Sequence, residues 1–168
     1  MISSNLKRII YTKKIRRALK NKALLENESL DKIGLIIDAE SLEKKPELLD
    51  FYKLLGLKKE DLRIVACNSA VDHKDKIEIL DPKEVSISGE FKSEGIKDFI
   101  QDRFDFIICY FSEKNQVGSL LVAEANGRMK FGNKPDQYGI YDLEIDSMDL
   151  DEFLEEVVKY YRIFKKKN

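Results

Sequence analysis

The chain carries few side chains suited to covalent or acid–base chemistry: one histidine and two cysteines among 168 residues. His73 sits in a charged stretch, Val71-Asp72-His73-Lys74-Asp75. Catalysis or metal ligation there would need partners converging from elsewhere, so a solvated loop histidine is the plain expectation. Cys67 and Cys109 each lie inside an apolar run, Ile64-Val65-Ala66-Cys67 and Ile107-Ile108-Cys109-Tyr110. Free cysteine buries readily, and both read as packed core thiols rather than as a bridge or a nucleophile. No CxxC, HExxH or GxSxG element occurs, and neither glycine-rich phosphate loop, GxGxxG or GxxxxGK[ST], is present. No catalytic residue, metal site or cofactor is expected.

The remaining candidates are polar residues that follow apolar, strand-like runs: Asp38 and Glu40, Asn68, Ser88 and Glu90, and Ser112 with Glu113. Ligands of open parallel sheets gather outside the carboxyl ends of strands, although any solvated loop also needs polar residues there. Asp38 and Ser112 are the possible ligand contacts among them. The loop Asp38-Ala39-Glu40 would repel a nucleotide phosphate, which disfavours the dinucleotide and P-loop readings. A third possible contact is Arg128, in Asn126-Gly127-Arg128-Met129-Lys130. Asn-Gly reads first as a helix C-cap; Arg128 and Lys130 would then either bind an anion or stabilise the negative end of the helix dipole.

Charge is segregated. Residues 1–24 hold eight cations, Lys7, Arg8, Lys13, Lys14, Arg16, Arg17, Lys20 and Lys22, and no acid. Residues 159–168 hold five more, again without an acid, which leaves the body from Leu25 to Val158 with a formal charge of −14. Such an arm would be drawn to phosphate, with Tyr11 available to stack on a base. It could equally neutralise the acidic body beside it. Apolar residues of Asn5 to Leu25 fall on two sides of a helix, Leu6, Ile9, Ile10 and Leu24 against Tyr11, Ile15, Ala18 and Leu19. That pattern suits a helix packed on both sides, or an arm ordered only on a partner.

The elements that must position these residues follow from periodicity. Ile33 to Asp38 and Leu62 to Cys67 read as strands, with a helix from Pro46 to Gly56 between them and Ser41 as a possible cap. Ile77 to Ile79 suits a short edge strand and Val85 to Ser88 a moderate one. A helix through Ile96, Phe99, Ile100 and Phe104 precedes the run Phe106 to Phe111, whose unbroken apolar character suits a central parallel strand. Val117 to Arg128 is expected to be helical and Tyr138 to Ile145 a last strand. Ser147 or Asp149 then caps a helix with Leu150, Phe153, Leu154, Val157, Val158, Tyr161 and Phe164 at core spacing. The alternation predicts an α/β fold, a three-layer Rossmann-like sandwich with a mostly parallel sheet of about five strands. Residues 1–28 form a basic arm or helix, and 29–168 a single domain long enough to need no staple. No apolar stretch nears the about 18 residues that span a bilayer, and the start lacks a secretory pattern, so a cytoplasmic protein is expected.

Three segments, Ile33-Gly34-Leu35-Ile36-Ile37-Asp38, Asp105-Phe106-Ile107-Ile108 and Ala123 to Gly132, resemble those of a family of small uncharacterised bacterial proteins, a domain of unknown function. That resemblance implies no activity. A more remote likeness, in an Asp-led apolar strand, a helix and a short basic segment ending in a glycine, is to the N-terminal domain of heptosyltransferase-like glycosyltransferases. It implies a fold and no catalytic residue, since the chain has no room for a second nucleotide-sugar domain. The expected function is a non-enzymatic binding or adaptor module, docking through its basic arm onto RNA, a ribonucleoprotein or an acidic protein. The alternative is a small ligand-binding or enzymatic domain related in fold to those transferases.

Overall fold

The apolar runs build one sheet. A computed structural model of the chain describes residues 4–21, 31–68, 77–133, 135–147 and 149–166. Its strands are β1 (Ile33–Asp38), β2 (Leu62–Cys67), β3 (Ile77–Leu80), β4 (Arg103–Tyr110), β5 (Asn126–Asn133) and β6 (Leu143–Ile145). Every neighbouring pair is parallel, in the order β3-β2-β1-β4-β5-β6. This is the strand order of the Rossmann fold. β1 and β4 lie side by side at the centre with both faces covered, which is why each reads as a continuous apolar run.

The helices are α1 (Ser4–Lys20), α2 (Ala39–Lys44), α3 (Phe51–Leu54), α4 (Glu94–Gln101), α5 (Gln116–Glu124) and α6 (Leu150–Lys166). Handedness sorts them into layers. The β1-to-β2 connection crosses the sheet one way, while β3-to-β4 and β4-to-β5 cross it the other way, so a common right-handed crossover puts their helices on opposite faces. On one face, Tyr11 and Ile15 of α1, Ile96 and Phe99 of α4 and Leu120 and Leu121 of α5 pack on Ile36, Ile107 and Cys109. On the other, Leu42 of α2, Phe51 of α3 and Phe153, Val157 and Tyr161 of α6 pack on Leu35, Phe106 and Ile108. The core positions expected of α6 all lie in or against that second cluster, and Asp149 caps the helix by accepting from the Glu152 N–H at 2.8 Å. Both cysteines are buried and free. No described helix is long and apolar enough to cross a membrane.

Several boundaries differ from expectation. Val85 to Ser88 is no sheet strand: Val85 makes one antiparallel bridge to Phe91, closing a turn held by the Ser86 hydroxyl. The segment from Pro46 to Gly56 is a 3-10 turn, Pro46–Asp50, followed by the short α3, and it does stop at a left-handed Gly56, φ 71°. Ser41 lies inside α2, which starts directly after β1. The last strand covers only Leu143–Ile145.

The largest correction concerns Asn126-Gly127, which opens β5 instead of capping a helix. α5 ends before Ala125, whose backbone is already extended (φ −70°, ψ 149°). Gly127 is there for close approach: a Cβ at that position would lie 2.8 Å from the Ile107 side chain on β4. Lys130 hides the strand because it is charged yet buried, its Nζ donating to the Val122 carbonyl of α5 at 2.5 Å.

A buried carboxylate ties α6 to the start of the sheet. Asp105 on β4 is fully buried and pairs with Arg128 of β5 at 2.9 Å and with Lys165 of α6 at 2.5 Å. Removing one partner of a buried pair leaves uncompensated charge, which typically costs about 3–5 kcal/mol. Lys165 keeps its pair with Asp31 at 3.2 Å, so Asp105→Ala is expected to lose stability towards the lower end of that range, seen as a lower urea midpoint at unchanged slope. A midpoint within error of the wild type would show that the cluster contributes nothing.

Candidate functional site

From β1 the chain turns towards β2, and from β4 towards β5, so the loops after these central strands part and leave a crevice at the carboxyl edge of the sheet. A cleft of about 520 Å³ occupies it, lined by Asp38, Asn68, Ser112 and Lys114 from the sheet side and by Lys7 and Arg8 from α1. That volume lies within the range of small-molecule sites.

Asp38 ends β1 and stands at the N-cap position of α2, yet its side chain does not cap that helix. It reaches across the crevice, where Oδ2 accepts from the Ser112 N–H at 3.3 Å and Oδ1 from Asn68 Nδ2 at 3.4 Å. Asn68 has φ 63°, the one non-glycine residue with positive φ among those described. Asparagine tolerates this conformation better than most side chains. Burial pushes the Asp38 carboxyl up, and the Glu40 charge adds to it; the bonds from Ser112 and Asn68 pull it back, and the balance lies above the usual value. Below it, burial and the Asp38 charge push the Cys67 thiol up to about 12, and burial likewise raises Cys109. Burial thus favours the protonated form of both thiols.

Helix α1 roofs the cleft and is tethered at several points. The Tyr11 hydroxyl donates to the Ser86 carbonyl at 2.8 Å, and Lys14 Nζ donates to the Gly89 carbonyl at 2.5 Å and pairs with Glu124 at 3.4 Å. At the start of α5, Gln116 Nε2 donates to the Arg8 carbonyl and to the Thr12 hydroxyl, each at 3.0 Å. These tethers divide the cations of the helix. Lys14 is turned inward, Lys7 and Arg8 line the cleft, and Lys13, Arg16, Arg17 and Lys20 are exposed. At 100° per residue those four share an arc of about 100° with Leu6 and Ile9. Lys22 and His73 lie outside the described residues.

The other residues singled out in the sequence are dispersed. Asp38 and Ser112 meet, but Arg128 lies near the opposite edge of the sheet, paired with Asp105. Ser88 and Glu90 belong to the turn beside α1, and the Glu113 carbonyl accepts from Gln137 at 3.5 Å. Lys114 and Gln116 escaped notice. The rule that selected Ser112, polar residues after a strand, also reaches Lys114, whereas the role of Gln116 depends on where α1 docks. Among the described residues, no three His, Cys, Asp or Glu side chains gather as a metal site would require.

The sign of the Asp38 effect on stability follows from its raised value in the folded state. The carboxylate form is disfavoured by folding, so the contribution is favourable below the ordinary value of 3.8 and is lost as pH rises through the folded-state value. Asp38→Asn is accordingly expected to raise the thermal midpoint at pH 7, with the gain vanishing at more acid pH. A lower midpoint at pH 7 would mean that Asp38 serves the fold.

No curated protein and no solved structure matches the chain. One family model does, over residues 7–164, taking in most of α1 together with the whole sheet and most of α6. The chain belongs to a family of unknown function (DUF6913).

Proposed function

We propose that the chain is a non-enzymatic binding module that docks through the outer face of α1 onto the phosphate backbone of RNA, free or within a ribonucleoprotein. The observation that carries this reading is the row Lys13, Arg16, Arg17 and Lys20: all four are exposed, on one side of a helix without a single acid. Among the described residues none of the four takes part in an ion pair, whereas Lys14, on the inner side, does. Internal neutralisation of the acidic body therefore uses Lys14 and leaves the outer row available. Phosphate contacts of this kind release counterions, so affinity falls steeply with salt.

A second reading, an acidic protein surface, is favoured by Leu6 and Ile9, 46% and 53% exposed within the same arc. Apolar side chains beside cations suit a protein surface, where both can be covered.

Fluorescence anisotropy with labelled single-stranded RNA across a salt series tests the first reading on the full chain. Each phosphate contact on a single strand contributes about 0.7 to the slope of log affinity against log salt. The variant Lys13→Gln, Arg16→Gln, Arg17→Gln, Lys20→Gln is expected to bind more weakly and to lose about 2–3 from that slope. Equal affinity and slope for the two proteins would exclude RNA docking through this face.

A further inference from the structure

We infer that the switch-point cleft is a second binding site, for a small phosphorylated sugar whose hydroxyls bond to Asp38 and whose phosphate lies among Lys7, Arg8 and Lys114. The ligand could be a free sugar phosphate or the ribose phosphate of a mononucleotide. This inference is independent of RNA docking, because it rests on the inner cations of α1 and not on the outer row.

The cleft is polarised. Lys7, Arg8 and Lys114 have no carboxylate partner among the described residues, and Lys7 Nζ lies 5.5 Å from the centre of the Tyr11 ring. Of the two acids lining the cleft, Glu40 is paired with Lys44 at 3.0 Å, which leaves Asp38. Three unpaired cations call for an anion with more than one charge, as a phosphomonoester has at neutral pH. Asp38 calls for a donor: each of its oxygens accepts one protein hydrogen bond, and an ionised carboxylate has room for about four. An ammonium group would suit Asp38 but would face three like charges in the same cleft. A polyol with a phosphate at one end satisfies both ends.

The direction of binding follows from the turn after β1. Dinucleotide folds place the phosphate there, over glycines and a helix N-terminus. Here Asp38-Ala39-Glu40 occupies that turn and repels an anion. The phosphate is displaced towards the loop after β4 and the roof helix, and the hydroxyl end takes its place over β1. Asp38 is already aimed for this, held by the Ser112 N–H and by Asn68 in its left-handed conformation.

Calorimetric titration of the full chain with ribose 5-phosphate, AMP, ribose and inorganic phosphate tests the inference. Saturable binding of a phosphorylated probe is expected, with ribose and phosphate each weaker by about tenfold or more, since each lacks one charge-assisted contact. AMP tighter than ribose 5-phosphate identifies a nucleotide as the source; equal affinity identifies a free sugar phosphate. Lys114→Gln, an exposed substitution, should weaken the phosphorylated probes several-fold, and Asp38→Asn should erase their advantage over inorganic phosphate. The outer-row variant should bind ribose 5-phosphate as the wild type does. The inference is overturned if neither phosphorylated probe binds saturably, if inorganic phosphate binds as tightly, or if Lys114→Gln and Asp38→Asn, both folded by thermal melt, bind unchanged.

Discussion

The docking of α1 against α5 and the sheet decides where the cations of this molecule lie. A helix with seven cations and no acid has no intrinsic reason to lie against a protein, and here two buried side chains, Tyr11 and Ile15, anchor it to α5 and the sheet. Lys14 and Gln116 then set its rotation through bonds to the Gly89, Arg8 and Thr12 oxygens. Once rotation is set, the cations are sorted without further instruction: Lys7 and Arg8 over the cleft, Lys13, Arg16, Arg17 and Lys20 to solvent. Charge that looks uniform along the sequence becomes two surfaces with different geometry.

The sheet supplies the other half of the arrangement. Parallel strands in the order β3-β2-β1-β4-β5-β6 force the chain to reverse direction between β1 and β4, and a crevice at their carboxyl ends follows from topology alone. What the crevice holds is a matter of side chains. In this chain the turn after β1 is acidic, and the cations come from a helix that precedes the sheet and from Lys114 in the loop after β4, so the charge layout of a dinucleotide site is reversed on an ordinary Rossmann framework.

Much of the framework is legible in the sequence, and the failures have physical causes. β1, β2 and α6 announce themselves because burial on both faces, or on one helical stripe, leaves an unmistakable apolar pattern. β5 is invisible for the opposite reason: a buried lysine interrupts its apolar run, and its glycines answer to neighbours distant in sequence, Gly127 to Ile107 and Gly132 to the Tyr141 ring. Asn126-Gly127 imitates a helix cap so well that local propensity misleads. Of the candidate site, Asp38 and Ser112 follow from their place after strands, while Arg128 looks equivalent in sequence and lies near the other edge of the sheet. The division of the basic segment is not local information at all, because it depends on which side of α1 meets α5.

That division is also the point most directly open to measurement. Amide hydrogen exchange on the full chain reports whether α1 is folded against the body in solution. Docking through Tyr11, Ile15, Lys14 and Gln116 predicts protection of the amides around Tyr11 to Ile15 comparable to that of α5, lost only when the domain opens. Exchange of those amides at the rate of an unstructured peptide, beside a protected sheet, would contradict the docked helix and with it both surfaces derived from its orientation.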